Sequence, residues 1–275
     1  MIYNIRGAPI SGAGYRSDGT ALSTAYDING VELFFGLVIM SYNVQWFSGM
    51  NSNLTMQKDI IGTYNADIIG IQEFQRHESV VIPDAAYEVF SPDYPYIEMG
   101  NYANKNGIVS KYQLQNFTTN IFTTSNQSYC TATVTINGND VFLIDTHFAT
   151  SSYEADKVQQ AAEIYDVLQG HEYFILIGDF NTVCKTVNDT EYTTIMKQFV
   201  DAGYNIANCS NQHGFIDTWT DGHTSGGTWY PCDNIITSSN IRIDSVIADQ
   251  RKITVAQQTG QTIDHLPLIA YCALK

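Results

Sequence analysis

At five places in the chain, an apolar segment is directly followed or preceded by residues whose side chains could take part in catalysis. The residues are Asn43, Glu73, His147, the pair Asp179 and Asn181, and the pair Asp264 and His265. A buried strand that ends in such a residue exposes it at the rim of a sheet, where clefts form. A turn or a cap is the commoner explanation for any one of them. Their recurrence at five places indicates a functional site.

The residue types in this set suit phosphoryl chemistry assisted by a bound cation. Carboxylate oxygens of Glu and Asp are the ligands that Mg²⁺ prefers, and Mn²⁺ accepts the same donors. Such an ion polarises a phosphate oxygen and stabilises the leaving oxygen, while a histidine can transfer a proton. The set contains no cysteine, so a structural zinc site is not expected. The pattern therefore favours a hydrolase of phosphate esters.

Strands and helices alternate along the part of the chain that would position these residues. Hairpin turns such as Asn137-Gly138 indicate antiparallel pairing. Ser151 and Glu154 form a capping-box pattern before a helix that Gly170 would end. Strands are predicted over residues 37–43, 67–72, 107–112, 129–136, 141–146, 173–177, 233–237 and 242–248, and helices over residues 53–65, 152–169 and 190–202. We expect an α/β chain with stacked sheets and helices outside them.

The length fits one large domain, which we place at residues 31–275, after an N-terminal arm of residues 1–30. The arm is rich in Gly, Ser, Thr and Asp, and we expect it to mediate attachment or oligomerisation. The chain has 13 Lys and Arg against 28 Asp and Glu, a net charge of −15. This charge disfavours binding to nucleic acid through a mainly basic surface. It does not exclude a nuclease, because a bound cation supplies positive charge where the phosphate lies.

The cysteines and the apolar segments give expectations about compartment. The chain has five cysteines without a CxxC pair, which argues against a disulfide scaffold. Reduced, buried thiols are expected, and one disulfide between Cys184 and Cys232 is the open alternative. The longest apolar stretch, residues 33–40, is far shorter than the roughly 20 residues that span a bilayer. With no signal-peptide pattern visible, we expect a soluble protein, either cytoplasmic or released after processing.

Five short motifs together resemble those of one known superfamily. They are Ser41-Tyr42-Asn43, Ile71-Gln72-Glu73, Thr146-His147-Phe148, Gly178-Asp179-Phe180-Asn181 and Asp264-His265-Leu266-Pro267. In order and spacing they resemble the endonuclease/exonuclease/phosphatase superfamily, the DNase I-like group, over roughly residues 37–275. The resemblance implies a four-layered α/β sandwich, in which two packed mixed β-sheets are flanked by helices. It also implies a Mg²⁺-dependent phosphoesterase.

The resemblance also implies a role for each matching position. Glu73 would be the principal Mg²⁺ ligand, with Asn43 beside it touching metal or phosphate. Asp264 would join the metal environment. The catalytic set would be His147, Asp179, Asn181, Asp233 and His265. Within that set, Asp179 would orient or activate the attacking water, and Asn181 would hold the scissile phosphate. His265 would bind phosphate or transfer a proton, with Asp233 on its other nitrogen, and His147 would donate to the phosphate or the leaving group.

Departures from the superfamily pattern narrow the expected branch. Abasic-site endonucleases of the superfamily usually have Tyr at the position of His147. A histidine there makes the chain resemble the DNase, sphingomyelinase, phosphatase and deadenylase branches instead. Asn104 or Asn106 could supply a further polar contact to substrate, although a plain loop and strand explains them equally well. Lys105 and Lys111 are the basic residues expected near the site, which disfavours a highly phosphorylated inositol.

The expected substrate is a phosphodiester, with DNA or RNA as the favoured partner. A phosphatase or lipid phosphodiesterase is the alternative within the same chemistry, and a catalytically idle binding module with the same fold is the alternative outside it. Trp46, Trp219 and Trp229 could stack on a base or a sugar, with core or rim packing as the other interpretation.

Overall fold

The computed structural model describes residues 24–26, 32–34, 36–74, 84–100, 105–150, 154–182, 190–220 and 226–275. The described helices are α1 (Leu54–Tyr64), α2 (Asp84–Phe90), α3 (Glu154–Leu168), α4 (Thr190–Asp201) and α5 (Arg251–Thr259). The described strands are β1 (Thr24–Tyr26), β2 (Glu32–Phe34), β3 (Leu37–Asn43), β4 (Ile68–Gln72), β5 (Tyr96–Met99), β6 (Gly107–Ser110), β7 (Gln115–Ile121), β8 (Ser128–Ile136), β9 (Asn139–His147), β10 (Phe174–Asp179), β11 (Asn205–Ile206), β12 (Trp219–Thr220), β13 (Trp229–Tyr230), β14 (Asp233–Thr237), β15 (Ile241–Ala248) and β16 (Leu268–Leu274).

Two six-stranded mixed sheets pack face to face. The first has the order β15-β16-β3-β4-β6-β5 and the second has the order β11-β14-β10-β9-β8-β7. In each of these two sheets, only one pair of neighbouring strands among the described residues is parallel, β3 with β4 and β9 with β10. Apolar side chains such as Ile39 of the first sheet and Leu143 and Ile177 of the second are buried in one cluster between the sheets. Burial of these side chains is the main force that holds the two sheets together.

Helices cover the outer face of each sheet, which gives four layers. Ile61 of α1 and Phe90 of α2 pack in one apolar cluster with Met40 of the first sheet. On the other side, a cluster joins α3 and α4 to the second sheet through residues such as Ile164 and Phe199. The predicted sandwich of two mixed sheets flanked by helices is therefore confirmed.

The strand directions bring the ends of four strands to one rim. Parallel neighbours end at the same edge of a sheet. Asn43, the last residue of β3, pairs in register with Gln72, the last residue of β4. Asp179, the last residue of β10, lies in register with His147 on one side and with Asp233 on the other. Because the sheets are stacked, the two sets of strand ends face the same cleft.

Most strand and helix predictions agree with the structure to within a few residues. The Asn137-Gly138 turn joins β8 and β9 with φ values of 52° and 83°, as a tight hairpin of this type requires. Two elements, α2 and β5, lie in a part of the chain for which no helix or strand was predicted. Cys232 is a free buried thiol, while Cys184, Ser151 and most of residues 1–30 lie outside the described residues. The division at residue 30 stays a prediction.

Within the described part of the chain, no helix has the length and apolar character needed to cross a membrane.

Candidate active site

An unusual turn after β3 fixes Asn43 and Glu73. Gln45, Trp46 and Phe47 have φ values of 43°, 52° and 53°, a left-handed conformation that non-glycine residues adopt at a cost in strain. The Trp46 N–H donates to the Glu73 carbonyl (2.8 Å), and the Gln45 N–H donates to Asn43 Oδ1 (3.0 Å). These bonds hold the Asn43 amide so that its Nδ2 points into the cleft.

Asp179 is the hub of the cleft. Asn43 Nδ2 donates to Asp179 Oδ2 (3.1 Å) and also lies 3.2 Å from Glu73 Oε1. The Nε2 atoms of His265 and His147 lie 3.4 and 3.5 Å from the same Asp179 oxygen. Burial acts to raise the pKa of Asp179, but the charges of the two histidines and hydrogen bonds from Asn181 and Asn43 lower it below its usual value. The Asp179 side chain is therefore an anion at neutral pH.

His265 lies between two carboxylates. Its Nδ1 is 3.0 Å from Asp233 Oδ2, and its Nε2 is the atom that faces Asp179. Burial acts to lower the pKa of His265, but Asp233, Asp179 and Asp264 raise it to about 10. The imidazole is thus protonated at neutral pH and can donate from both nitrogens. Burial raises the pKa of Asp233, and the charge of His265 opposes that shift.

Backbone pairing fixes the segment that carries His265. Trp219 of β12 forms an antiparallel bridge with His265, and the Leu266 N–H donates to the Thr218 carbonyl (2.7 Å). Thr218 Oγ1 also accepts the Asp233 N–H (3.0 Å). One threonine therefore connects Asp233 to the segment that carries His265.

Asn181 lies in a turn just beyond β10. Its φ of 47° is left-handed, and its N–H donates to Asp179 Oδ1 (2.8 Å). The Asn181 Nδ2 donates to the Phe148 carbonyl (2.9 Å). The backbone carbonyl of Asn181 accepts a hydrogen bond from Lys157 Nζ of α3 (2.9 Å). The side chain is only partly buried, so Asn181 stands at the cleft surface in a fixed orientation.

His147 faces both sides of the cleft. Its Nε2 lies 3.5 Å from Asp179 Oδ2 and 3.8 Å from Glu73 Oε1. Ser128 is its cross-strand partner on β8 and donates through Oγ to Asn106 Oδ1 (2.9 Å). Asn106 in turn donates to Asp145 Oδ2 (3.1 Å). Burial raises the pKa of the Asp145 carboxyl well above its usual value.

The structure places Asn106 below the cleft and not on its surface. Its side chain is 1% exposed and is engaged with Asp145 and Ser128. Asn104, the other predicted substrate contact, lies outside the described residues. Contact of either asparagine with substrate stays a prediction.

The donor set of the cleft fits a hard divalent cation. Carboxylate oxygens of Glu73 and Asp179 converge there on Asn43 Nδ2, and such oxygens are the ligands that Mg²⁺ prefers. The Glu73 side chain is 16% exposed and Asp179 only 1%, so Glu73 is the carboxylate that opens to solvent. Asp179, Asp233 and His265 also offer ligand atoms within 4.8 Å of one another. Both His265 nitrogens face carboxylates, however, so we interpret that trio as a hydrogen-bonded relay.

Asp264 is buried beside this relay. Its carbonyl accepts the Thr220 N–H (3.3 Å), and its negative charge contributes to the raised pKa of His265. The cleft thus brings together Asn43, Glu73, His147, Asp179, Asn181, Asp233 and His265, with Asp264 adjacent. Sequence reasoning considered Cys232 only for a disulfide and missed its contact with the site, where its Sγ lies 3.4 Å from Asp179 Oδ1. It also missed two buried lysines, Lys157 and Lys252. None of these three has a motif that could have identified it.

The model of the Endonuclease/Exonuclease/phosphatase family matches residues 40–260, a range that contains nearly all of the cleft residues. The chain belongs to this family. The cleft of this family member extends past the matched range only at Asp264 and His265, which precede β16. No curated protein matches the chain in sequence.

Solved structures with the same fold share little sequence with this family member. A humanized TDP2 from D. rerio is 16% identical, with a TM-score of 0.64 over 86% of this chain and 98% of that one. An endonuclease/exonuclease/phosphatase from Beutenbergia cavernae is 14% identical, with a TM-score of 0.68 over 86% and 71%. A beta toxin variant from Staphylococcus aureus, solved with bound magnesium ions, is 17% identical, with a TM-score of 0.62 over 86% and 99%. At these identities the likeness shows the fold alone.

Proposed function

We propose that the protein is a Mg²⁺-dependent phosphodiesterase that cleaves nucleic acid. The observation that carries this proposal is the double-sided cleft. Glu73 offers carboxylate oxygens as ligands on one side, beside the Asn43 amide, and the Asp233–His265–Asp179 relay offers protons and a base on the other. Membership of a family of phosphoester hydrolases supports the same reaction.

Glu73 is the residue that would hold the cation, with Asn43 beside it to contact metal or phosphate and Asp264 in the metal environment. When bound there, Mg²⁺ would supply positive charge to a phosphate oxygen and to the leaving oxygen. The chain has few basic residues for this purpose, with 13 Lys and Arg in all. The S. aureus beta toxin variant that shares the fold was solved with bound magnesium ions, which supports the choice of cation. Mn²⁺ is expected to substitute, because it accepts the same oxygen donors.

The proposed reaction is attack of water on phosphorus with loss of the ester oxygen. Asp179, which is ionised and fixed by hydrogen bonds, orients the water and accepts its proton as the new P–O bond forms. His265, protonated between its two carboxylates, donates from Nε2 to a phosphate oxygen, where negative charge develops. His147 donates to the leaving oxygen as the ester P–O bond breaks, and Asn181 holds the phosphate.

Aromatic side chains near the cleft support nucleic acid as the substrate. Trp46 follows Asn43 closely, is only partly buried, and has Lys105 Nζ 5.9 Å from its ring centre. Trp219 and Tyr230 stack with ring centres 6.1 Å apart, in the hairpin that is bridged to His265. Bases stack on such rings because every base has a π-face. A D. rerio TDP2 structure with the same fold contains a single-strand DNA product.

A substrate panel with and without metal tests the proposal. Plasmid DNA, single-stranded DNA, RNA, sphingomyelin and inositol phosphates should be incubated with Mg²⁺, Mn²⁺ or EDTA. We expect cleavage of at least one nucleic acid with Mg²⁺ and none with EDTA. Turnover of only sphingomyelin or only inositol phosphates would replace the nuclease by the lipid phosphodiesterase or the phosphatase. Absence of turnover on every substrate would favour an idle binding module.

A further inference from the structure

Lys252 is a fully buried lysine that contacts two elements of the active site. It is the second residue of α5 and is 0% exposed. Its Nζ donates to the carbonyl oxygen of His265 (3.0 Å) and lies 4.3 Å from the ring centre of Tyr42. Tyr42 immediately precedes Asn43 on β3. One ammonium group therefore links the loop that carries His265 to the strand that carries Asn43.

The position of Lys252 is unfavourable by the ordinary rules of folding. A buried ammonium loses its hydration, and a cation in the first turn of a helix is repelled by the helix dipole. Burial lowers the pKa of Lys252 to about 7, although Asp249, Asp264 and Asp233 attract its charge. An apolar side chain of similar length would avoid both costs. A contribution to the site, in addition to stability, explains why a lysine occupies this position.

Rotation of the His265 peptide would move the imidazole relative to both carboxylates. The His265–Asp179 distance of 3.4 Å is already at the long end for a hydrogen bond, so a small shift would separate the two groups. The Lys252 bond acts on the carbonyl of this same residue. On the opposite side of the cleft Lys157, also fully buried, donates in the same way to the carbonyl of Asn181. Helices α3 and α5 thus each contribute one buried lysine that holds a backbone carbonyl of a site residue.

We propose that Lys252 is a positioning residue, which holds the backbone of His265 so that its imidazole stays aligned between Asp233 and Asp179. This inference rests on the proposed function for its kinetic consequences, but its structural consequence can be measured without substrate. The substitution that tests it is Lys252→Met, which keeps a side chain of similar length and removes the charge and the hydrogen-bond donor. Lys252→Gln is the second variant, should the methionine protein fail to fold.

Ala256→Gly is the matched control. Ala256 lies one turn further along α5 and is also buried, so its loss loosens the same helix without touching Lys252. With bis(4-nitrophenyl) phosphate and Mg²⁺, Lys252→Met should lower kcat by about 10- to 100-fold, with KM within about threefold of wild type. Ala256→Gly should keep kcat within about threefold, although it unfolds at lower urea concentration.

Proton NMR of the metal-free proteins separates this inference from the proposed function. The His265 Nδ1 proton, which is hydrogen-bonded to Asp233, should move or broaden in Lys252→Met and stay in place in Ala256→Gly. An unchanged proton signal together with wild-type kcat would overturn the positioning role. An equal fall in kcat in both variants would also overturn it, because the cause would then be a loosened helix. If the wild-type protein turns over no diester, the proposed function fails, and the NMR comparison alone decides the role of Lys252.

Discussion

Replacement of Gly178 by alanine should force apart the two parallel strands that carry His147 and Asp179. A Cβ built on Gly178 lies 2.2 Å from the carbonyl oxygen of Thr146 and 2.7 Å from its Cγ2. An ordinary contact begins near 3.4 Å, so β9 and β10 would have to separate locally by about 1.2 Å. The closest atom belongs to the backbone, so a change of rotamer cannot relieve the clash.

The cost of this separation has two parts. Overpacking in a close-packed interior costs about 1–3 kcal/mol. A shift of this size also weakens neighbouring ladder hydrogen bonds, such as that from the Phe148 N–H to the Asp179 carbonyl (2.9 Å), at about 0.5–1.5 kcal/mol each. We expect Gly178→Ala to lower the free energy of unfolding by roughly 2–4 kcal/mol. Because an ångström of misplacement can reduce turnover about 100-fold, any folded variant should also lose activity.

Urea unfolding followed by circular dichroism, in EDTA, measures the effect, and Gly62→Ala is the control. Gly62 lies in α1, and a Cβ there meets no atom within 4 Å. In that variant the free energy of unfolding should rise by about 0.5–1 kcal/mol, because alanine is the better helix former. Ordinary substitutions change the free energy of unfolding by roughly 1 kcal/mol. A Gly178→Ala protein with full activity and a free energy of unfolding within about 0.5 kcal/mol of wild type would therefore refute the close approach of the two strands.

Three further predictions concern the relay and a distant turn. Asp233→Asn removes the charge that faces His265 Nδ1 and should lower kcat by at least about 10-fold; a wild-type rate would exclude Asp233 from the relay. Because the pKa of His265 is raised from 6.5 to about 10, its contribution to stability is present below pH 6.5 and is lost as pH rises to about 10. The stability difference between wild type and His265→Gln, measured by urea unfolding in EDTA, should therefore shrink from pH 7 to pH 10, and growth with pH would contradict the assignment. Gly138→Ala strains a residue with φ of 83° and should cost about 1 kcal/mol with kcat unchanged, whereas loss of activity would mean that the turn is coupled to the site.

The sequence predicted those parts of the fold where apolar periodicity is strong. Strands such as β3 and β10 consist almost entirely of buried residues, so their apolar runs are visible in the chain. The edge strand β7, Gln115–Ile121, is largely exposed and polar, and α5 begins without a side-chain cap and contains β-branched residues. Neither element has a local signal, because both depend on packing against the rest of the fold.

The same division holds within the site. Asn43, Glu73, His147 and Asp179 stand at the ends of apolar runs, which is why their convergence could be expected from the order of residues alone. Contacts that depend on how layers stack could not be expected. The helix that carries Lys252 is not visible in the sequence, and the bond from Lys252 to the His265 carbonyl joins residues of two different elements.

Cation binding and turnover in Glu73→Gln, compared with wild type, test the central claim most directly. The control is Glu88→Gln, which neutralises an exposed glutamate on α2 that pairs with Lys58. Calorimetric titration with Mg²⁺ and Mn²⁺ should show binding to wild type and to Glu88→Gln, with affinity for Glu73→Gln reduced by at least about 10-fold. Hydrolysis of the preferred phosphodiester should fall by about 100-fold or more in Glu73→Gln alone and should stop in EDTA. Near-normal turnover by Glu73→Gln, or wild-type activity that survives EDTA, would contradict a reaction that depends on a cation held by Glu73.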